Sequence, residues 1–512
     1  MNRKDFIRDI GKGMLAGSIA LYFPSCKKFL EEKPKNILNP GTFFGSDAAA
    51  KQAVTGIYAL YHGNALHGKV GMDRFYENGA DTIGPNRAFD QVEPIQSYII
   101  TEGNMDSISQ GGGAPQTWQD LYGSIQNANI ILANIENNDK ISADAKKQFG
   151  GEALFFRAYS YYHLTNIWGD VPFFKDALSV EEIRTLGRTS REQIREEILT
   201  DLQQAQDQLP DSYSGNEVGR VSKWAAATVM VKIYLWQKKW QEARDKAVEI
   251  INESPHVLLD NYADVFDPAN EYNAEIIWAM DWVKDVNSTD WPDHFTPRLQ
   301  DEPLQGDQRN ALSAALSARN EGFTGYGLAI PLPDLVNKFP KDDLRRASNI
   351  VTNYLGFDLH FPYFPKLWSL NQLDSPRGNH GENKKIFRLS DVYLMAAEAE
   401  NELNGPAAAY AYINKVRERA YDPHQPLSGL SQQQFRQAIY DERKWELAGE
   451  NHRRMDLIRW GILLETVAST EYRIYDPAKN ITAKNVLLPI PATELQLNPN
   501  LLTDDPTNNG YR

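Results

Sequence analysis

One stretch, Glu152–Phe174 (EALFFRAYSYYHLTNIWGDVPFF), constrains the fold more than any other. Ala153, Phe156, Ala158, Tyr159, Tyr162 and His163 leave it almost no purely polar face. A helix that is apolar or aromatic nearly all round is buried on every side. The small alanines let neighbours come close, and the rings fill the space between them. Gly151 leads the stretch, and Gly169, Asp170 and Pro172 stop it, because Gly permits a left-handed cap and Pro cannot continue a helix. The stretch therefore predicts the core helix of a mainly α protein.

Other helices follow from the same periodicity. Asp47 is a candidate N-cap for a first helix carrying Ala50, Val54, Ile57, Tyr58 and Tyr61. A second holds Trp118, Leu121, Tyr122, Ile125, Ala128, Asn129 and Leu132. Ser190 with Gln193 resembles a capping box ahead of Ile194, Ile198, Leu202, Ala205 and Leu209. Lys223–Gln237 and Trp240–Asn252 form a helix pair about Lys238 and Lys239. Tyr234, Ala243, Ala247 and Pro255 fall at tetratricopeptide spacings, with Ala247 in place of the usual Phe. Helices resume at Ile386, return through Ala407–Arg419, and end in Phe435–Gly461; the tail reads as extended and packed across the helices. Two segments break the pattern. Residues 62–116 are rich in Gly, Asn and Asp, and a segment this long between helices is usually functional. Residues 256–385 lose sustained helical period, apart from a candidate strand at Ala274–Trp282, yet they are too aromatic for disorder. The expected fold is mainly α: a tetratricopeptide-like helix-hairpin scaffold with a large loop-rich irregular subdomain. Its divisions are 1–25 (signal), 26–46 (tether), 47–255 (helices, with the 62–116 insertion), 256–385 (loop-rich, ligand-binding) and 386–512 (helices and tail).

The N-terminus has the layout of a secretory signal. Arg3, Lys4, Arg8 and Lys12 precede a short apolar run from Met14 to Phe23, then Pro24, Ser25 and Cys26. The run is too short to span a bilayer. Cys26 is the only cysteine, so no intrachain disulfide or cysteine cluster forms. A small residue before it resembles a lipobox, and Cys26 is the candidate lipidation site; Phe23 and Pro24 depart from the usual lipobox pattern. The net charge of −14, with no run of Lys and Arg, disfavours nucleic acid as a partner.

Six ordered segments resemble the SusD/RagB family of Bacteroidetes surface lipoproteins. They are Cys26 followed by KKFLEEKP; Trp118–Asn129; the Glu152–Phe174 stretch with its GDVP; GRVSKWAAATVMVKIYL at Gly219–Leu235; FRLSDVYLMAAEA with Ile413–Ala420; and ERKWELAGENHRRMDLIRWG with LPIP and the terminal Asn-Gly-Tyr. Gly449 and His452 stand near where an aromatic residue or Trp is more usual. The resemblance implies a SusD-like fold anchored by lipid on the outer face of the outer membrane. It also implies a lid on a SusC-like TonB-dependent barrel that binds oligosaccharide or, in some members, peptide, with no enzymatic activity and no cofactor.

The chemistry agrees with binding. Glu442, Arg443, Glu446, Glu450, Arg453, Arg454, Asp456 and Arg459 form the densest charge pattern. Paired carboxylates could serve glycoside hydrolysis, but each here has an Arg close by, which points to structural ion pairs. His62 and His67 lack metal-ligand spacing, and Asp285, Asn287 and Asp290 lack the rest of a calcium loop. No nucleophile elbow occurs. Sugar rings stack their C–H faces on flat side chains and need short polar partners for their hydroxyls. The two irregular regions frame the ligand site in the family. Candidate ligand residues are thus Trp282, Trp291, Tyr326 and Trp368 in the second region, and Tyr76, Asp81, Asn86 and Arg87 in the first. Trp282, Trp291 and Tyr326 flank Asp, Asn and Gly and are expected to be exposed, whereas Trp278 is expected in the core. A peptide-binding lid and, less favoured, a secreted glycoside hydrolase are the alternatives.

Overall fold

The computed structural model of the protein describes residues 44–69, 71–88, 93–106, 113–369 and 376–512. The signal, Cys26 and the tether up to residue 43 lie outside the described residues. The longer helices are α1 (Asp47–Tyr61), α2 (Gly113–Ile135), α3 (Ala143–Ile167), α4 (Arg191–Gln208), α5 (Lys223–Trp236), α6 (Trp240–Glu253), α7 (Gly306–Ala318), α8 (Leu389–Asn404), α9 (Pro406–Arg417), α10 (Gln432–Leu447) and α11 (Arg453–Trp460). From α1 to α6 each helix packs on the next; α6 then packs directly on α8, and α8 on α9 and α10. The chain between α6 and α8 therefore leaves the helical stack and returns without interrupting it. Leu394, Ala397, Ile413, Val416, Phe435 and Ile439 fill the space between α8, α9 and α10.

The middle of the stack is α3, in which every residue from Phe149 to Ile167 is buried. Its charged side chains are answered by neighbours. Glu152 accepts from Tyr58 and Arg220, each at 2.7 Å. Arg157 donates to Asp201 at 2.8 and 2.9 Å and to Asn129 at 2.9 Å. The helix starts two turns earlier than its apolar stretch suggests, at the cap Ser142, whose Oγ accepts from the Ala145 N–H at 3.3 Å. Gly151 is thus inside the helix rather than ahead of it. A Cβ there would lie 3.0 Å from Cβ of Gln208 and from Leu209, where the end of α4 crosses. Asp47 is likewise displaced by one position. Ser46 caps α1, while the Asp47 carboxylate accepts from N and Oγ of Ser142, both at 2.7 Å, and so ties α1 to the start of α3. Ser190 caps α4 through the Gln193 N–H at 3.3 Å. A full capping box occurs instead at Ser431 and Gln434 of α10.

Among the described residues, three two-stranded antiparallel sheets organise the chain between α6 and α8, one of them with a strand from the first irregular region. Strand β2 (Ile276–Met280) pairs with β6 (Lys384–Arg388). Helix α8 therefore begins only at Leu389, and Ile386 belongs to a strand. The five residues of β6, Lys-Lys-Ile-Phe-Arg, are too few to be assigned by periodicity alone; the partner strand decides. Strands β4 (Val351–Tyr354) and β5 (Phe357–Tyr363) form a hairpin. Strand β1 (Ile83–Gly84), from the first irregular region, pairs with β3 (Ile330–Pro331). Contrary to the expected loss of helical period, this part contains α7, which buries only Leu312 and Leu316 and so carries a weak stripe. These two join Phe323, Ile330, Leu359 and Tyr363 in a separate small core.

The Phe435–Gly461 stretch is two helices, α10 and α11, parted at Gly449. The tail is not extended. It consists of turns and short helices such as Ala492–Leu497 and closes the end of α3: Leu488 N–H donates to Ile167 O at 2.8 Å and Asn509 Nδ2 to Trp168 O at 2.9 Å.

The close approach at Gly151 sets a prediction. Gly151→Ala should lower stability by about 1–3 kcal/mol through overpacking. Gly56→Ala, inside α1 with nothing within 4 Å, should raise it by up to about 1 kcal/mol through helix propensity. Thermal unfolding of the two variants checks the pair; equal effects would remove the packing role of Gly151.

Candidate functional site

The dense charge pattern of α10 and α11 is buried and paired. Glu446 accepts from Arg345 at 2.8 Å, Arg388 at 2.5 Å and Arg419 at 2.7 Å. Glu450 accepts from Arg388 and Lys366, both at 2.6 Å, and Glu442 pairs with Arg345 at 2.6 Å and Arg417 at 2.7 Å. Arg443 bridges Asp391 and Asp456, each at 2.7 Å, and Arg459 pairs with Glu398. Burial opposes ionisation of Glu446, but the three guanidinium groups around it win and hold its carboxyl well below the usual range. A general acid needs a raised pKa, which is the reverse of this arrangement.

Several candidate ligand residues are spent in the interior. Asp81 is buried, bonded to Arg453 at 2.7 and 2.9 Å and to Lys444 at 2.9 Å. Those cations overcome its burial and keep it ionised. Tyr76 is buried, with its Oη 2.5 Å from His163 Nδ1. Trp282 and Trp291, expected to be exposed, are only 4% and 5% exposed. Trp282 lies edge-on to His62, and Trp291 Nε1 donates to Glu382 O at 3.1 Å. Beside Trp291, Thr289 and Asp293 are buried with it, and beside Trp282 it is Val283 that takes the surface. Trp368 is half-buried against Phe323, Tyr354 and Tyr363, and shares a small cavity of ≈ 40 Å³ with Trp291. Trp278 lies in the core, 2% exposed. Asp285 bonds Asn379 at 2.6 Å and Asp290 pairs with Lys69 at 3.3 Å, so these oxygens face side chains.

Asn86, Arg87 and Tyr326 are brought together. The β1–β3 pairing, Ile83 opposite Pro331 and Gly84 opposite Ile330, fastens the first irregular region to the second. Asn86 and Arg87 follow directly. Arg87 Nη1 donates to Asp301 Oδ2 at 2.7 Å, to Tyr326 O at 3.2 Å and to Asn86 Oδ1 at 3.2 Å. Asn86 Nδ2 donates to the same Asp301 oxygen at 3.3 Å. The half-buried Tyr326 ring has the Arg377 guanidinium 4.9 Å from its centre and the His294 ring at 5.1 Å. Burial drives the His294 pKa down to about 3, so this imidazole is neutral. The Tyr326 N–H donates to Asp293 O at 2.6 Å, and the Asp293 carboxylate in turn holds His380 Nε2 and the Gly378 N–H, both at 2.8 Å. Arg87 and Arg298 approach Asp301 at 2.7 and 3.6 Å, Arg377 lies over the Tyr326 ring, and the Arg87 side chain remains 38% exposed. On a protein of net charge −14, this is a donor-rich rim with a flat ring beside it. Asp301, Arg377 and His294 were not legible as site residues: Asp301 is 214 residues from Arg87, and Arg377 has only a polar Pro/Gly context.

Comparison with known proteins agrees with this architecture. Residues 28–235 match the SusD-like family described as starch-binding and associating with the outer membrane, and residues 360–511 match the SusD family. A SusD-like protein of Formosa agariphila is 52% identical over 510 residues, covering 95% of this chain and 97% of that one. A laminarin-binding SusD-like protein of known structure superposes with a TM-score of 0.71 at 23% identity, over 89% of this chain and 98% of that one. Surface glycan-binding protein A from Bacteroides uniformis gives 0.73 at 20% identity, over 91% and 100%.

The buried histidines predict a pH dependence. Burial pushes His67 well below its ordinary value, His163 and His294 to about 3, and His452 to about 4. Between about pH 4 and 6.5 the unfolded chain binds more protons at these sites than the folded one, so stability present at pH 7 is lost on acidification. Each costs about 1.4 kcal/mol per pH unit below about 6.5. Glu77, pushed up to about 7 by burial, and His62, raised by Asp281 against its burial, act in the opposite direction. The melting temperature should fall between pH 7 and pH 5.5; a flat or rising value by calorimetry would contradict neutral buried histidines.

Proposed function

The chain belongs to the SusD family, and from that premise we propose that it captures glycans at the bacterial surface, using the Arg87–Tyr326 rim as its binding site. The observation that carries this reading is the rim itself: an exposed guanidinium paired to one carboxylate, beside a half-buried tyrosine positioned by contacts with Arg377 and His294. Sugar hydroxyls accept from Arg87 and donate to Asp301, while a C–H face meets the Tyr326 ring. Residues 256–385 serve as the ligand-binding region and the helices on either side as its carrier. The names of the similar proteins, laminarin-binding and surface glycan-binding, support a saccharide ligand. In the same reading Cys26 carries the lipid anchor at the outer membrane and a SusC-like TonB-dependent barrel receives the captured oligosaccharide. No described helix is long and apolar enough to cross a membrane. The act is binding without covalent change, which agrees with the pairing of Glu442, Glu446 and Glu450 to arginines.

Calorimetry and affinity gels with a polysaccharide panel that includes laminarin test the proposal. Arg87→Ala and Tyr326→Ala should each weaken binding about tenfold or more with little change in melting temperature. Asp81→Asn and Trp282→Ala should lower the melting temperature instead. Unchanged glycan affinity in both rim variants, or release of reducing ends by the purified protein, would overturn the reading.

A further inference from the structure

A second cavity lies away from the rim and shares no residue with it. It opens between the connection from α4 to α5 and strand β2, with a volume of ≈ 220 Å³, several times that of the cavity beside Trp291 and Trp368. Tyr213, Arg220, Ser222, His256, Tyr272 and Trp278 are among the side chains that line it. We infer that this groove is a second saccharide site, shaped for one uncharged sugar ring; the inference rests on the glycan-binding reading above.

Three observations support it. The first is unused hydrogen-bonding capacity. Ser222 stands at the N-cap of α5, yet its hydroxyl does not cap the helix; the residue is 5% exposed and Oγ has no partner. His256 Nδ1 lies 3.2 Å from Ala274 O and, in the neutral ring, donates to it. Nε2 is then an acceptor, and it is buried without a partner. A hydroxyl and a free acceptor lining one cavity match a sugar hydroxyl, which both donates and accepts.

The second is a positioned aromatic ring. Tyr272 is 42% exposed, unusual for a ring lining a cavity. Its Oη occupies the space where a Cβ of Gly219 would lie, at 2.9 Å, and Gly219 has φ +98°. Glycine is thus needed both for the backbone and for the tyrosine, and Trp278 Nε1 fixes the Gly219 carbonyl at 3.2 Å. A ring held by its hydroxyl end presents its face at little further entropy cost.

The third is charge. Arg220 is consumed by Glu152 at 2.7 and 3.0 Å and by Glu217 at 2.5 Å, and Asp211 pairs with Lys223 at 2.7 Å. Among the described residues that line the groove neither the guanidinium nor the carboxylate is left unpaired, so the occupant is uncharged. Water would satisfy Ser222 and His256 but would leave the face of Tyr272 wet; a sugar ring serves both.

The test has two arms. Crystals of the protein are soaked in turn with D-glucose, D-galactose, D-mannose and D-xylose. In parallel, Tyr272→Ala is placed in the wild type and in the Arg87→Ala/Tyr326→Ala background and run on polysaccharide affinity gels. The inference expects a ring over Tyr272, with hydroxyls on Ser222 Oγ and His256 Nε2, and retention of the rim double variant lowered a further threefold or so by Tyr272→Ala. Water alone in the groove after every soak would overturn it. So would a ring bound at crystal concentration only, with gel retention indifferent to Tyr272. If retention falls with Tyr272→Ala but ignores the rim substitutions, the groove stands and the rim reading fails.

Discussion

The buried carboxylate of Glu446 is the point on which the architecture turns. Arg345, Arg388 and Arg419 converge on it from three separate segments, and Glu446, Arg345 and Arg388 are 2% exposed or less. Together with Glu446, the carboxylates of Glu275, Glu442, Glu450 and Asp343 balance Lys366, Arg417 and the three arginines, so carboxylates and cations match in number. Burying one such ion unpaired costs several kcal/mol, and a matched set recovers this only when the geometry is good. The set therefore acts as a register. Arg388 ends β6, Glu275 precedes β2, Arg345 and Lys366 come from the irregular part, and Glu442, Glu446 and Glu450 come from α10 and the turn after it. One arrangement of the irregular part on the stack satisfies all of them.

That register is what makes a loop-built rim usable. Arg87, Asp301, Tyr326 and Arg377 come from four segments with little regular structure of their own. A binding site needs its groups held to fractions of an ångström, and loops alone do not supply this. The β1–β3 staple, the small core of α7 against β5, and the charge set beneath them supply it instead.

The helical stack was legible because long periodic apolar stretches have one solution. The Glu152–Phe174 stretch supplies the buried second half of α3, whose start lies two turns earlier, and the Lys223–Gln237 and Trp240–Asn252 pair translates directly into α5 and α6. Short elements were not: β6 is five residues whose state is decided by β2, and α7 buries only two side chains. The α10 cluster read correctly as ion pairs because every carboxylate had an arginine nearby in sequence. The proposed site was half legible. Asn86, Arg87 and Tyr326 meet at the rim, but Asp301, which fixes Arg87, is far away in sequence. Asp81, Tyr76, Trp282 and Trp291 sit among polar neighbours in the chain, yet each finds a partner distant in sequence that only the fold supplies.

Hydrogen–deuterium exchange on Glu446→Gln tests the central claim most directly. If Glu446 registers the irregular part on the stack, exchange should rise across residues 256–385, including 293–301 and 324–330, while α2, α3 and α4 keep their protection. Unchanged protection in 256–385, or an equal loss throughout the chain, would contradict it.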